Sequence, residues 1–348
     1  VPPTPMHRSV QRAPRVRRLA HQLLVSVGAF ALVSLTRPAL SSAAECDAIE
    51  SPCVPASPLW TRAGQSRWLT VPSPELARPG ELSLNLTSDY TYKPLLLKVP
   101  SPDPEGREIR LVHHRVSTTV GARYAPSEGV ELGLAVPLVV YQTGAGTKAI
   151  TDRDADPIAT TALVDPRLEG RYRLWEGEPG NLDAGAIVVF PLGNQDAHAG
   201  EPSLVFAPEL IWGVRVGAFS LGAEVGVRLR KSVDLGNASY GSQLSVALAA
   251  DAELLERWLS LAAEAQLLSG FAPRTTQLDP STRTSHLERP AEWLAGVRSE
   301  PISRLQLSLL AGTALPLGSE TSGNASESFA SLGAARFHGV FDLRYRFQ

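Results

Sequence analysis

The stretch FHGVFDLRYRF, residues 337–347, decides the fold. Phe337, Gly339, Phe341, Leu343, Tyr345 and Phe347 take the odd positions, and His338, Asp342, Arg344 and Arg346 take even ones, with Arg336 just ahead. Successive side chains of an extended strand point to opposite faces, so a period of two puts the apolar set on one face and the charged set on the other. A soluble sandwich turns such an apolar face inward, whereas a membrane barrel turns it toward lipid and its polar face toward a lumen. One strand does not separate the two. The number, length and spacing of strands do.

The same alternation recurs upstream. Leu82, Leu84, Leu86, Tyr90 and Tyr92 alternate with Glu81, Ser83, Asn85, Thr87 and Asp89. Val112, Val116, Val120 and Tyr124 alternate with Arg115, Ser117, Thr119 and Arg123, and a third face runs from Val130 to Val140. Leu168, Tyr172 and Leu174 oppose Arg167, Glu169, Arg171 and Arg173, and further strands are expected near 182–192, 204–216, 219–230, 242–254, 258–269, 291–299, 304–315 and 334–347. The count is about twelve, an even number as closed bacterial barrels require. Most run ten to thirteen residues, the length of a tilted membrane strand and about twice that of a common soluble one. Short links, such as Pro126–Gly129 and Gly217–Ala218, alternate with long ones at 93–107, 142–164, 193–202, 231–240, 270–290 and 316–332. That is the up-and-down pattern of short periplasmic turns and long outer loops. Tyr90, Tyr92, Tyr141 and Trp293 fall at expected outer strand ends, and Trp212, Trp258, Tyr345 and Phe347 at inner ones, as interfacial girdles would. The expected fold is an all-β, transmembrane, up-and-down antiparallel barrel over residues 80–348.

Composition removes most other classes. The 348 residues carry 33 basic and 35 acidic side chains and are 43% hydrophobic, so wholesale disorder is excluded and no basic footprint for nucleic acid exists. Two cysteines are too few for a disulfide-dense scaffold or a four-thiolate zinc site. His113 and His114 are the most suggestive local chemistry, but neighbours on a strand are expected to face opposite ways, and no Gly-x-Ser-x-Gly elbow occurs. The acidic run at Asp152, Asp154 and Asp156, with Asp165 beyond it, lacks the glycine of a helix-flanked calcium loop and reads as solvated. No enzyme activity, cofactor or metal is expected.

The first 44 residues read as a signal peptide. Six arginines and no acid precede or flank the apolar run Leu23–Leu35, and Ser42 and Ala44 supply small residues for cleavage before Glu45. Removing those six leaves 27 basic residues against 35 acidic ones, a net charge of −8. Cys46 and Cys53 would then meet an oxidising compartment, where a disulfide is expected. Residues 45–79 are proline-rich, carry Trp60 and Trp68, and read as an irregular periplasmic N-terminal extension or a plug. The even strand count puts both termini in the periplasm of a Gram-negative cell, with the barrel in its outer membrane.

Resemblance adds to this reading. The ending FHGVFDLRYRFQ resembles the C-terminal signature of bacterial outer-membrane proteins, which implies that Tyr345 and Phe347 are read by the barrel-insertion machinery. WLTVPSPELARPGEL, RYAPSEGVELGLAVPLVVYQTG, VDPRLEGRYRL and AIVVFPLGNQDAHAGEPSLVFAPELIWG resemble the barrel region of outer membrane protein A family proteins and of phenol-degradation meta-pathway transporter-like barrels. No peptidoglycan-binding module, and so no cell-wall tether, is expected. The expected function is passive passage of small solutes, with small aromatic or apolar compounds implied by the transporter-like resemblance. The alternative is a non-conducting structural or surface-interaction barrel. The candidate lumen-lining residues are Arg171, Arg173, Glu209, Arg215, Glu224, Arg228, Arg230, Glu264, Arg336, Asp342, Arg344 and Arg346. Expected partners are outer-membrane lipid, the insertion machinery and small solutes.

Overall fold

The computed structural model describes residues 46, 51–99, 107–151, 156–178, 180–235, 238–256, 258–271, 290–315, 329–332 and 334–347. The signal segment 1–44, and Asp152 and Asp154 of the acidic run, lie outside them.

Twelve long antiparallel strands form the wall: β1 Leu82–Val99, β2 Arg107–Ser127, β3 Val130–Thr143, β4 Arg167–Glu176, β5 Gly180–Val189, β6 Val205–Val216, β7 Phe219–Arg228, β8 Gln243–Leu255, β9 Leu259–Gly270, β10 Ala291–Ile302, β11 Leu305–Ala314 and β12 Phe337–Phe347. Each pairs with its sequence neighbours, and β1 pairs with both β2 and β12, which closes the sheet. Leu82 lies opposite Phe347 and Tyr92 opposite Phe337, so the register along the closing seam is unbroken. Closure removes the two edges that an open sheet of this length would leave unpaired.

The burial pattern is inverted relative to a soluble protein. On β3, Leu132 is 49% exposed while its neighbour Glu131 is 3% exposed; on β4, Tyr172 is 57% exposed beside Arg171 at 7%. Glu131 lies opposite Arg171 and Val130 opposite Tyr172, so the charged pair shares the inner face and the apolar pair the outer one. Water would make this arrangement costly, because each exposed large apolar side chain forfeits about 1.5–3 kcal/mol of burial. Lipid reverses the sign. The wall is that of a transmembrane β-barrel, and the apolar odd positions of β12 face outward while Asp342 and Arg344 are sealed within.

Four expected loops prove to be partly strand, the loop 142–164 only at Ala162–Leu163, which pairs with β3. The connection 93–107 was expected to be a loop, yet the β1–β2 ladder resumes above an irregularity between Tyr92 and Leu95 and runs to Val99 opposite Arg107. Lys93 there has φ +50°, and Pro94 cannot donate to a ladder, so the sequence reads as an ending where the structure has a bulge. Phe329–Leu332 adds a short strand to the same upper part of β1, and Val233–Leu235 pairs with Ala238–Tyr240 above β7. The bulge also corrects the expectation for the two histidines. The His113 and His114 rings lie 4.0 Å apart, both pack on Tyr92, and Tyr90 Oη meets His114 Nδ1 at 2.8 Å. They join an aromatic patch at the rim that carries the long connections.

Candidate functional site

The lumen is threaded by the N-terminal segment. Its first part sits among the long connections. Cys46 and Cys53 form a disulfide, and Cys53, Val54 and Ala56 pack against Leu111, Val112, Ile158, Ala197, Leu235 and Tyr240. Ser51 donates to the Asp234 carbonyl and Ala56 to the His198 carbonyl. Trp60 lies lower, among Ile187, Val189, Val205 and Ala207. Leu69 packs on Ala262, Leu294, Leu310 and Val340, and Trp68 on Ala247 and Ala249. The segment leaves by the short-turn end, where Ala77 donates to Glu131 and Gly80 to the Ala125 carbonyl just before β1.

The sequence expectation places both termini on the periplasmic side. Cys46, Cys53, Val54 and Ala56 pack at the long-loop mouth, whereas Phe347 pairs with Leu82 at the short-turn mouth. The described N-terminal end and the end of β12 are at opposite ends of the barrel.

An irregular chain inside a barrel carries backbone groups that no ladder satisfies, and buried polar groups without partners are costly. The charged wall supplies the partners. Seven arginines donate to carbonyls of the segment: Arg228 to Pro58 (2.6 Å), Arg167 to Thr61 (3.0 Å), Arg344 to Gly64 (3.0 Å), Arg123 to Gln65 (3.2 Å), Arg298 to Arg67 (2.6 Å), Arg171 to Ser73 (2.6 Å) and Arg173 to Pro74 (2.7 Å). Wall oxygens accept from the segment's amides: Glu169 from Ala63, Asn85 from Gly64, Ser83 from Gln65, and Glu264 from Leu69 and Thr70 at 2.7 and 2.8 Å.

Arg62 is the central side-chain contact. Its two terminal nitrogens each meet a Glu209 oxygen at 2.8 Å, one also pairs with Glu224, and Nε donates to the Thr70 carbonyl at 2.7 Å. The two carboxylates answer its buried charge. Arg67 pairs with Asp251, Glu253 and Glu75. The segment also fits closely against the wall. Gly64 has φ +64°, and a Cβ there would lie 2.3 Å from Arg123 Cβ; a Cβ on Gly222 would lie 2.4 Å from the Trp68 ring.

Most of the candidate lumen residues are therefore engaged. Arg171 and Arg173 share Asp183, Glu209 and Glu224 hold Arg62, and Glu264 holds the 69–70 turn. Arg228 lies 3.8 Å over the Trp60 ring. Arg230 is sealed with Glu201 and Tyr240 among the long connections. Asp342 accepts from Thr87 Oγ1 and Arg344 Nε, both at 2.6 Å. Arg215 pairs with Glu253 and Glu75 at the short-turn mouth, and Arg346 approaches Glu81. Arg336 lies at the long-loop rim, half exposed and paired with Glu108. Tyr345 and Phe347 pack edge to face at the end of β12. Sequence reasoning missed the segment's own ligands, Arg62 and Arg67; it put Arg167, Glu169, Asp251 and Arg298 on the polar face without counting them among the lumen candidates. Among the described residues, three spaces between the segment and the wall are of about 10 to 30 Å³, room for a water or two.

No protein-family model matches the chain, and no curated protein does. Among solved structures it is similar to an outer membrane channel from Pseudomonas putida F1, at TM-score 0.55 and 12% identity over 78% of this chain and 97% of that one. The NanC porin follows at TM-score 0.46 and 7% identity, covering 76% of this chain and 99% of the other, and the KdgM porin at 0.42 and 8%, over the same shares. At these identities the likeness is one of fold.

Proposed function

We propose that this chain is an outer-membrane channel for the passive passage of small solutes, closed at rest by residues 51–79. One observation carries the reading: the polar wall is turned to a separable stretch of backbone that fills the lumen, and its arginines and carboxylates engage that stretch as well as one another. A barrel of about twelve strands lies between those filled by wall side chains and those that leave an aqueous pore. Displacing the segment would expose a mixed-charge lumen, of the kind that tunes solute passage. The likeness of fold to an outer membrane channel supports the same reading, as does the lipid-facing surface. Small aromatic or apolar compounds are the solute class we favour, entering by diffusion with no chemistry performed on them. Tyr345 and Phe347 would serve recognition by the insertion machinery.

The narrowness of the remaining spaces favours a second reading, a permanently closed barrel with a structural or surface role. Planar-bilayer recording of the refolded full chain beside a variant lacking residues 51–77 separates them. The channel reading expects rare, brief steps in the full chain and sustained conductance in the deletion. A deletion that folds, by strand content and heat-modifiable gel mobility, but stays silent would favour the second reading.

A further inference from the structure

An open recess of about 400 Å³ sits on the flank of the barrel, at the rim that carries the long connections. Glu108, Arg110 and His113 of β2 line it with Thr143 at the end of β3 and with Gly144 and Ala145 beyond. The chain leaving β3 makes the recess by folding across the top of β2, where Ala145 donates to the Arg110 carbonyl at 2.9 Å and Gly146 to that of Leu111 at 3.0 Å. A Cβ on Gly144 would lie 2.2 Å from the Leu111 carbonyl oxygen, so this close approach requires glycine. The recess faces away from the lumen. Ile109 packs on the buried cluster that holds Leu111 and Val112, so its strand neighbours Glu108 and Arg110 point outward. Glu108 is committed to Lys93 at 2.9 Å and to Arg336 at 3.0 Å. The Arg110 guanidinium is exposed, and among the described residues no hydrogen bond or ion pair engages it. Lys93 and Arg110 both act electrostatically on the His113 ring. Lys93, Arg110 and Arg336 therefore set three positive charges against the one negative charge of Glu108.

We propose that this recess binds a phosphate-bearing lipid of the outer leaflet, with a phosphate on Arg110 and His113 and an acyl chain along Tyr141, Val140 and Leu138 of β3. The inference rests on the outer-membrane reading above, which puts the long connections on the outer side. A guanidinium presents a planar fork that matches two phosphate oxygens, and an imidazole N–H supplies a further donor. Lys93 and Arg336, although paired with Glu108, keep the local potential positive. Basic pockets at a membrane surface take lipid head groups on these terms. The neighbouring surface decides between a lipid and a free phosphate. Tyr141, Val140 and Leu138 continue down β3 from the recess at 48%, 46% and 39% exposure, an apolar strip that only an acyl chain would use. Tyr90 and Tyr92 stack with His114 beside the recess. Aromatic side chains collect at head-group level, so the charge of the recess lies where a lipid phosphate lies and the strip where its chain lies.

Two readouts test this, and neither depends on conduction. The first is native mass spectrometry of the full chain refolded in detergent, with bisphosphorylated lipid A, the same lipid stripped of its phosphates, or inorganic phosphate. One lipid A per barrel should bind about tenfold or more tightly than the stripped lipid, the difference that a hydrogen bond to a charged group makes. Arg110→Gln with His113→Gln should erase that preference, and Arg304→Gln, which removes an exposed arginine from the turn between β10 and β11 at the other mouth, should keep it. The second readout needs no variant: lipid A, and not its stripped form, should slow hydrogen exchange over residues 108–113 and 143–146 of the native chain. Equal binding of the two lipids, the same preference in the double variant, or inorganic phosphate that binds as tightly as lipid A would overturn the proposal. A chain that folds in plain buffer without detergent would overturn the outer-membrane reading itself, and this site with it.

Discussion

Replacing Arg62 with Met should loosen the threaded segment while leaving the wall closed. Arg62 answers two buried carboxylates, Glu209 and Glu224, and caps the Thr70 carbonyl. Removing one partner of a buried ion pair costs about 3–5 kcal/mol, because the remaining charges stay desolvated. That cost falls on the docked state alone, since water entering an open lumen solvates both glutamates. At about 1.4 kcal/mol per tenfold, the undocked fraction should rise by roughly two to three and a half orders of magnitude. A cysteine at position 66 reads this directly. Ser66 is fully buried in the segment, so Ser66→Cys should react with a small water-soluble maleimide only when the segment leaves its seat. Labelling should therefore accelerate by about a hundredfold or more in Arg62→Met. Adding Glu209→Gln and Glu224→Gln should recover much of the loss, because neutral amides are cheaper to bury. Equal labelling rates with and without Arg62, in a well-folded barrel, would refute the assignment of this ion cluster as the segment's main hold.

Other expectations follow from the same geometry. Leu343→Arg puts a charge on the lipid face and should cost about 2–4 kcal/mol near the midplane, less toward an interface, seen as reduced refolding yield into micelles; Arg344→Leu should still close the barrel but speed labelling at position 66, since Arg344 holds the Gly64 carbonyl. Gly64→Ala should do the same, because a Cβ at φ +64° would meet Arg123 Cβ at 2.3 Å. His198, in the long connection after β5, is fully buried with Nδ1 on the Val54 carbonyl, and burial pushes its imidazole down to about 4 despite that bond. A histidine with a lowered folded pKa is stable above the unfolded value and loses stability as pH falls from about 6.5 toward 4. Protection of the Ala56 amide from hydrogen exchange should fade over that range, and His198→Asn, which tolerates the positive φ at this position, should flatten the profile. Cys46→Ser with Cys53→Ser should leave the barrel folded, by strand content and gel mobility, because the bridge closes only a short loop.

The wall was legible because its period is two throughout and lipid inverts the usual faces, so Leu132 and Glu131 declare opposite sides without any partner being known. The bulge at Lys93–Pro94 was not, since a proline and a left-handed residue look like the end of a strand when the ladder beyond them is invisible. The threaded segment is the larger lesson. Arg171, Arg228 and Arg344 read from sequence as a lumen lining that either faces solutes or pairs across the interior. Their carbonyl partners at Ser73, Pro58 and Gly64 carry no side-chain signature at all. Backbone acceptors are the same in every residue, so no pattern of side chains announces that seven arginines converge on one stretch of chain. The two tryptophans and two arginines of residues 60–68 were the available signal: large apolar and charged groups in a proline-rich stretch need a partner surface.

The central claim, that residues 51–79 occupy the lumen and that passage requires their displacement, is tested most directly by a reversible tether. A Cβ on Gly133 would lie 3.1 Å from Ala63 Cβ, within a few tenths of an ångström of disulfide spacing. Ala63→Cys with Gly133→Cys, in a Cys46→Ser, Cys53→Ser background, should cross-link spontaneously, and bilayer recordings should be silent when oxidised and show conductance steps after reduction. Failure of the cross-link to form in the folded barrel, or the same conductance before and after reduction, would contradict it.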